Sequence, residues 1–193
     1  MVLVFHLGKT NYHHFCLKLL FMISTIKKYG IYGFVSSLVL FQIAFSIGKS
    51  FSYSVQEVLG YLTIVIALLF VFFAIKHYRD KENNGKLSIK NGIFIGLSIT
   101  FFVALGSAIS DYIYVTILYP DFVTDYSNYQ LEKLRTTLSA SDFEVKRQEM
   151  MNNIKTIGKP SIMALVMFIT VMCLGTIITM LSSLFLQNKR AIV

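Results

Sequence analysis

The chain has 193 residues, enough for one compact unit and too few for several domains. Its residues are 55% hydrophobic and only 15% charged, whereas ordinary soluble domains carry about 25% charged residues. A soluble protein this small has too little interior to bury so much apolar surface. The composition therefore excludes an ordinary soluble domain and predicts that lipid surrounds much of the chain.

The formal net charge of +8 raises the question of a nucleic-acid partner. However, the basic residues sit in short clusters beside apolar runs and form no single stripe with stacking aromatic residues between them. Clusters of this kind are typical of contact with anionic lipid headgroups. We expect membrane lipids as partners and no nucleic acid.

The first 21 residues differ in kind from the rest. Two short apolar patches flank the polar residues 9–14, and neither patch reaches the length of a membrane span. Met22 opens a plausible natural start just before the first long apolar run. We expect residues 1–21 to be a dispensable extension or an artefact of start assignment, and residues 22–193 to form one membrane domain.

Four apolar stretches are long enough to cross a hydrocarbon core of about 30 Å, which takes about 20 helical residues. The sequence thus predicts an all-α integral membrane protein with four transmembrane helices. The predicted spans cover about 29–47, 58–75, 92–119 and 160–186.

Turn-forming residues and prolines agree with these limits. Asn84 and Gly85 predict a turn between the second and third spans. Pro120 should end the third span, and Pro160 suits the first turn of the fourth, where its missing N–H costs nothing. Ser54 with Glu57 predicts a capping box that starts the second span.

The long loop 121–159 carries a helical pattern of its own. Apolar residues recur at helical spacing over 126–138 and 142–157, and Ser141 with Glu144 predicts a second capping box. We expect two amphipathic helices that form a hairpin. Their apolar faces should pack on each other, on the membrane surface or on a partner.

Lysine and arginine counts predict the orientation. The N-terminal tail has four basic residues, the loop between spans two and three has five, and the C-terminus has two. The connection between spans one and two has only Lys49, and the six basic residues of loop 121–159 are balanced by six acidic ones. We therefore expect a multi-pass protein of the cytoplasmic membrane with both termini in the cytoplasm.

Several segments resemble a known family. They are Lys27-Lys28-Tyr29-Gly30, Gly60-Tyr61-Leu62, the Lys76-His77-Tyr78-Arg79-Asp80 stretch before Asn84-Gly85, and Tyr119-Pro120-Asp121-Phe122. Over about residues 22–190 the chain resembles the bacterial membrane family catalogued as domain of unknown function 4199. The resemblance implies a four-span protein of a bacterial cytoplasmic membrane, and it implies no activity, cofactor or catalytic residue.

Asp111 is the only ionisable residue inside a predicted span, and such residues are functional candidates. Two interpretations remain open for it. About 27 Å of helix separates it from Ile93, which favours an interfacial position among Tyr112, Tyr114 and Tyr119. The alternative is a role in proton or ion handling.

Two other polar or small-residue features lie within the spans. Gln42 in the first span should need an interhelical partner, which favours a packing role over a ligand role. A ridge of small residues at four-residue spacing along the third span should let another helix approach closely, either in the same chain or in a second copy. The ridge consists of Gly92, Gly96, Thr100, Ala104 and Ala108.

The loop between spans two and three superficially matches the start of a calcium-binding loop. Its twelfth position is Asn91, which cannot supply the bidentate carboxylate, so we expect no calcium. His6, His13, His14 and Cys16 match the spacing of no established metal site. The basic residues of the loop should instead contact anionic lipid headgroups. They are Lys76, Arg79, Lys81, Lys86 and Lys90.

Sequence motifs for nucleophilic, nucleotide-dependent or zinc catalysis are missing, so we expect no enzyme and no cofactor. The favoured hypothesis is a small non-enzymatic membrane protein that acts through a membrane-protein partner or as a homo-oligomer, using loop 121–159 and the small-residue ridge. The alternative is a transporter or channel component that uses Asp111 and Gln42. A lipid-modifying enzyme is the weakest hypothesis.

Overall fold

The computed structural model describes residues 2–48 and 50–187, with side chains from residue 18 onward. Lys49, Lys189 and Arg190 of the charge count lie outside these residues, and so do the side chains of His6, His13, His14 and Cys16. Six α-helices and no strands make up the described part of the chain. The helices are α1 (Val2–Gly48), α2 (Tyr53–His77), α3 (Ile89–Ile113), α4 (Phe122–Arg135), α5 (Ala140–Ile157) and α6 (Pro160–Leu186).

Four helical stretches are long and apolar enough to cross a membrane, which confirms the four-span prediction. The first reaches further than predicted, because α1 continues without a break across the boundary at Met22. Whether residues 1–21 are dispensable stays a prediction. The four stretches are Lys18–Gly48, Tyr53–Glu82, Ile89–Leu118 and Pro160–Leu186.

The turn and proline signals were correct. Asn84 and Gly85 have φ angles of 52° and 73°, the left-handed conformation that lets the chain reverse between α2 and α3. The third helical stretch ends at Leu118, just before Pro120, and Pro160 occupies the first turn of α6.

Both capping-box predictions were wrong. Ser52 is the residue before α2, and it makes no side-chain cap bond. The Ser54 and Glu57 side chains instead bond to tyrosines of α4, which lies about 70 residues further along the chain. At α5 the cap is Ser139, whose hydroxyl accepts from the backbone N–H of Asp142.

The spans two and three each end in one π-helical turn, at Tyr78–Glu82 and Tyr114–Leu118. In each turn a backbone N–H reaches back five residues, as from Tyr119 N to Tyr114 O at 2.7 Å. Such a turn carries one additional residue. Tyr78 and Tyr114 begin the two turns, and their side chains lie inside the bundle, where they are 1% and 2% exposed.

Helices α3 and α6 pack closely, with glycines of one helix against short side chains of the other. A Cβ atom added to Gly92 would come within 2.6 Å of Ser183 Oγ, and one added to Gly96 within 2.7 Å of Thr179 Oγ1. Gly175 of α6 faces Thr100 in the same way. Three residues of the small-residue ridge, Gly92, Gly96 and Thr100, therefore pack against α6 of the same chain.

Helices α2 and α3 each contact all three of the other spans, and α1 and α6 pack on either side of this pair. The hydrophobic core lies where they meet, with fully buried residues such as Leu68, Val71, Ile95 and Ile99. Side chains that face away from this core are exposed and apolar, as expected of a surface in contact with lipid.

Glycine substitutions should separate close packing from open space. Gly96→Leu should strongly destabilise the protein, since the new side chain meets Thr179 in a tight helix contact. Gly60→Ala should stabilise it by about 0.5–1 kcal/mol, because alanine favours the helix and a Cβ at Gly60 has nothing within 4 Å. Thermal unfolding in detergent measures both, and equal effects of the two changes would contradict this packing.

Candidate functional site

Asp111 lies one turn before the π-helical end of α3, and its side chain points into the bundle. The residue is 7% exposed, and its Oδ2 atom is buried without a hydrogen-bond partner. The neighbouring Tyr112 is 48% exposed and faces outward. Asp111 therefore lies near the end of the span, as its depth predicted, but on the interior face and not in an exposed aromatic belt.

Two adjoining cavities meet at Asp111. The first, of about 350 Å³, lies between α2 and α6, and the second, of about 250 Å³, lies between α1, α2, α3 and α4. Both are mainly apolar. They share the lining residues Phe45, Glu57, Gly60, Asp111 and Met167.

The charged groups of the cavity walls are all acidic. Asp111 and Glu57 line both cavities, and neither cavity has a lysine, arginine or histidine in its wall. Glu57 Oε1 accepts a hydrogen bond of 2.6 Å from the Tyr126 hydroxyl. Among the residues with described side chains, no group of three or more His, Cys, Asp or Glu could hold a metal ion.

Aromatic rings close the smaller cavity on the side of α4. The Phe45 and Tyr114 rings stack at 4.1 Å between centroids, with an angle of 17° between their planes. Tyr114 continues to Phe122 at 5.4 Å, and Phe122 stacks on Tyr126 at 5.7 Å. Tyr53 meets Tyr126 edge to face at 5.5 Å. These five residues, which we call the aromatic wall, come from four different helices.

Hydroxyl groups hold α4 in place over this cavity. The Tyr129 and Ser54 hydroxyls lie 3.2 Å apart, and Tyr126 bonds to Glu57. Burial, together with the bond to Glu57, raises the pKa of Tyr126 above its usual value. At the start of α4 the Tyr119 hydroxyl bonds to Asp125, which raises the pKa of Tyr119. Both phenols therefore remain protonated donors at neutral pH.

Gln42 and Asp111 do not share a cavity. The Gln42 side-chain amide donates to the backbone carbonyl of Ser110 at 3.4 Å, and Gln42 is absent from the walls of both cavities. It thus joins α1 to α3, the packing role that its position in the sequence predicted. No motif indicated Glu57 as a site residue, because its spacing from Ser54 predicted a helix cap.

The basic residues predicted to contact lipid headgroups all lie at the opposite end of the bundle. Lys76, Lys81, Lys86 and Lys90 are exposed there. Arg79 is partly engaged, since its guanidinium bonds to Asp80 at 2.6 Å and to the Leu186 carbonyl at 3.4 Å. Arg79 therefore links the end of α2 to the end of α6.

A third cavity, of about 410 Å³, opens between α4, α5 and the start of α6. The two helices of loop 121–159 are present as predicted, whereas their close packing as a hairpin stays a prediction. The apolar part of this groove includes Val123, Met150, Ile154 and Met163.

Most of the chain matches one protein family. Residues 28–188 match a family described as "Protein of unknown function (DUF4199)", a range that includes most of the first span, the other three spans and both loop helices. The chain belongs to the DUF4199 family. No curated protein and no solved structure matches this DUF4199 protein.

The anchoring of α4 can be tested at one hydroxyl. Tyr126→Phe keeps the ring but removes the bond to Glu57, so backbone amides of α4 should exchange with solvent several-fold faster. Tyr112→Phe, on the exposed face of α3, is the matched control and should leave α4 unchanged. Hydrogen exchange followed by mass spectrometry measures both, and unchanged protection of α4 in Tyr126→Phe would rule out this anchor.

Proposed function

We propose that this small DUF4199 membrane protein binds a small solute in the cavities at Asp111 and acts as a solute-binding or transport component. The observation that carries the proposal is Asp111, which lines both cavities and whose Oδ2 atom is buried without a hydrogen-bond partner. A buried carboxyl group without a donor costs free energy. The presence of such a group within a membrane span favours a functional role.

The position of the cavities favours access from one side. The wall of the larger cavity includes Ile157 of α5 and the exposed residues Tyr61 and Val166, so this cavity lies towards the end of the bundle that carries α4 and α5. The opposite end of the bundle carries Lys76, Lys81, Lys86 and Lys90, and we call it the basic end. Towards this end, fully buried side chains such as Leu68 and Ile99 fill the bundle. This arrangement supports a binding site or a one-side-open transport state over a continuous channel.

The proposal can be tested by thiol accessibility at Gly60. In a variant lacking Cys16 and Cys173, Gly60→Cys places a thiol on the wall of both cavities, in open space. A small water-soluble thiol reagent added to protein in lipid nanodiscs should modify it. Ala104→Cys, in a fully buried position of α3, is the control and should stay unmodified. Complete protection of Gly60→Cys would contradict a water-accessible site.

A second candidate function is binding of a protein partner through α4 and α5, without enzymatic activity. The observation that favours it is the apolar groove between these helices, which is open outside the spans. Self-association through the small-residue ridge loses support, because α6 packs against Gly92, Gly96 and Thr100 of that ridge.

The partner hypothesis predicts a position-specific loss of binding. Ile154→Asp, inside the groove, should remove proteins that copurify with the chain from mild detergent. Val145→Asp, on the same helix but 58% exposed and outside the groove, should leave them bound. Quantitative mass spectrometry of the copurified proteins provides the measurement, and equal recovery with both variants would remove this candidate.

The basic end supports an orientation for either function. We infer that Lys76, Lys81, Lys86 and Lys90 contact anionic headgroups of the cytoplasmic leaflet, with both termini in the cytoplasm. Under this orientation the cavities at Asp111 open on the outer side of the cytoplasmic membrane.

A further inference from the structure

The charged side chains in the walls of the cavities at Asp111 favour one sign of charge in a bound solute. Two carboxyl groups face them, and no basic side chain in their walls offsets these groups. Glu57 already accepts a bond from Tyr126, whereas Asp111 Oδ2 has no partner. A positively charged solute in these cavities would interact favourably with Asp111 and would offset the cost of burying it in the ionised form.

The aromatic wall favours a cation for a separate reason. The face of an aromatic ring carries a partial negative charge and attracts a cation within about 6 Å of its centre. Phe45, Tyr53, Tyr114, Phe122 and Tyr126 all line the smaller cavity together with Asp111. Groups of aromatic rings beside a carboxylate are suited to ammonium groups, whose charge is spread over an apolar surface.

The remaining wall residues distinguish an organic cation from a metal ion. Calcium takes about six to eight oxygen ligands and magnesium about six. The walls here offer two carboxyl groups among apolar neighbours such as Met167, Gly60 and Phe41. A cavity of about 250 Å³ also exceeds what a bare ion would fill. An apolar molecular body with one positive charge fits both the lining and the space.

We propose that Asp111 and the aromatic wall form a binding site for an organic monocation, such as a quaternary ammonium or a protonated amine with an apolar body. This inference rests on the proposed function and names the class of its solute. Asp111 pairs with the positive charge, the aromatic rings surround it, and the apolar body extends past Gly60 between α2 and α6.

Calorimetric titration of the full chain in lipid nanodiscs with benzyltrimethylammonium tests the proposal. Its neutral counterpart is neopentylbenzene, which has the same shape with carbon in place of the charged nitrogen. The wild-type protein should bind the cation at least about tenfold more tightly than the neutral compound. Equal affinity for the two compounds, or binding of neither, would overturn the proposal.

Three substitutions locate the binding site. Asp111→Asn should weaken binding of the cation about tenfold or more, whereas Asp80→Asn, an exposed carboxylate at the opposite end, should leave it unchanged. Gly60→Phe should abolish binding by filling both cavities, since a side chain added at Gly60 extends into open space. Unchanged affinity in both Asp111→Asn and Gly60→Phe would place the cation elsewhere and overturn the assignment.

The aromatic contribution has its own readout. Phe45→Leu keeps an apolar side chain but removes one ring, so it should weaken the cation more than the neutral compound. A matched loss for both compounds would indicate packing alone and would contradict the cation-binding role of the rings. Thermal unfolding of each variant confirms that it folds. Gly60→Cys could react with a water-soluble thiol reagent while no organic cation binds. That result would reject organic cations as the solute class but would leave the proposed solute-binding function standing.

Discussion

The architecture depends on the close contact between α3 and α6. In lipid the hydrophobic effect does not drive one helix against another, so packing at short range must hold the spans together. Gly92 and Gly96 permit that range, because any side chain there would collide with Ser183 or Thr179. With α6 fixed against one face of α3, α2 contacts both of these helices and α1 packs on α2 and α3. Asp111 at the far end of α3 lines the same cavity as Met167.

What the sequence predicted correctly was local. The four spans follow from apolar length, and Pro160, Asn84 and Gly85 act on their own backbone, so each could be read without knowledge of the fold. Contacts between residues that lie far apart in the sequence could not be predicted. Ser54 and Glu57 have the spacing of a cap, yet their partners lie on α4, and only the folded chain brings them together.

The candidate site shows the same limit. The depth of Asp111 in the membrane follows from counting residues, but the direction of its side chain depends on the rotation of α3. That rotation depends on how α3 packs against α6 and the other spans. The sequence alone therefore identified Asp111 as a candidate residue. It did not predict that Glu57, Phe45 and Tyr126 line the same cavity.

The contact between α3 and α6 also constrains how the protein is made. The two helices are adjacent in space but are separated along the chain by the loop that contains α4 and α5. During synthesis α3 enters the membrane while α6 is still missing, so the face with Gly92, Gly96 and Thr100 first meets lipid or the insertion machinery. The four-helix bundle can form only after α6, Pro160–Leu186, has been translated. Assembly of this protein is therefore completed by its fourth span, and a ribosome that stalls before that span releases a chain whose central helix lacks its main partner.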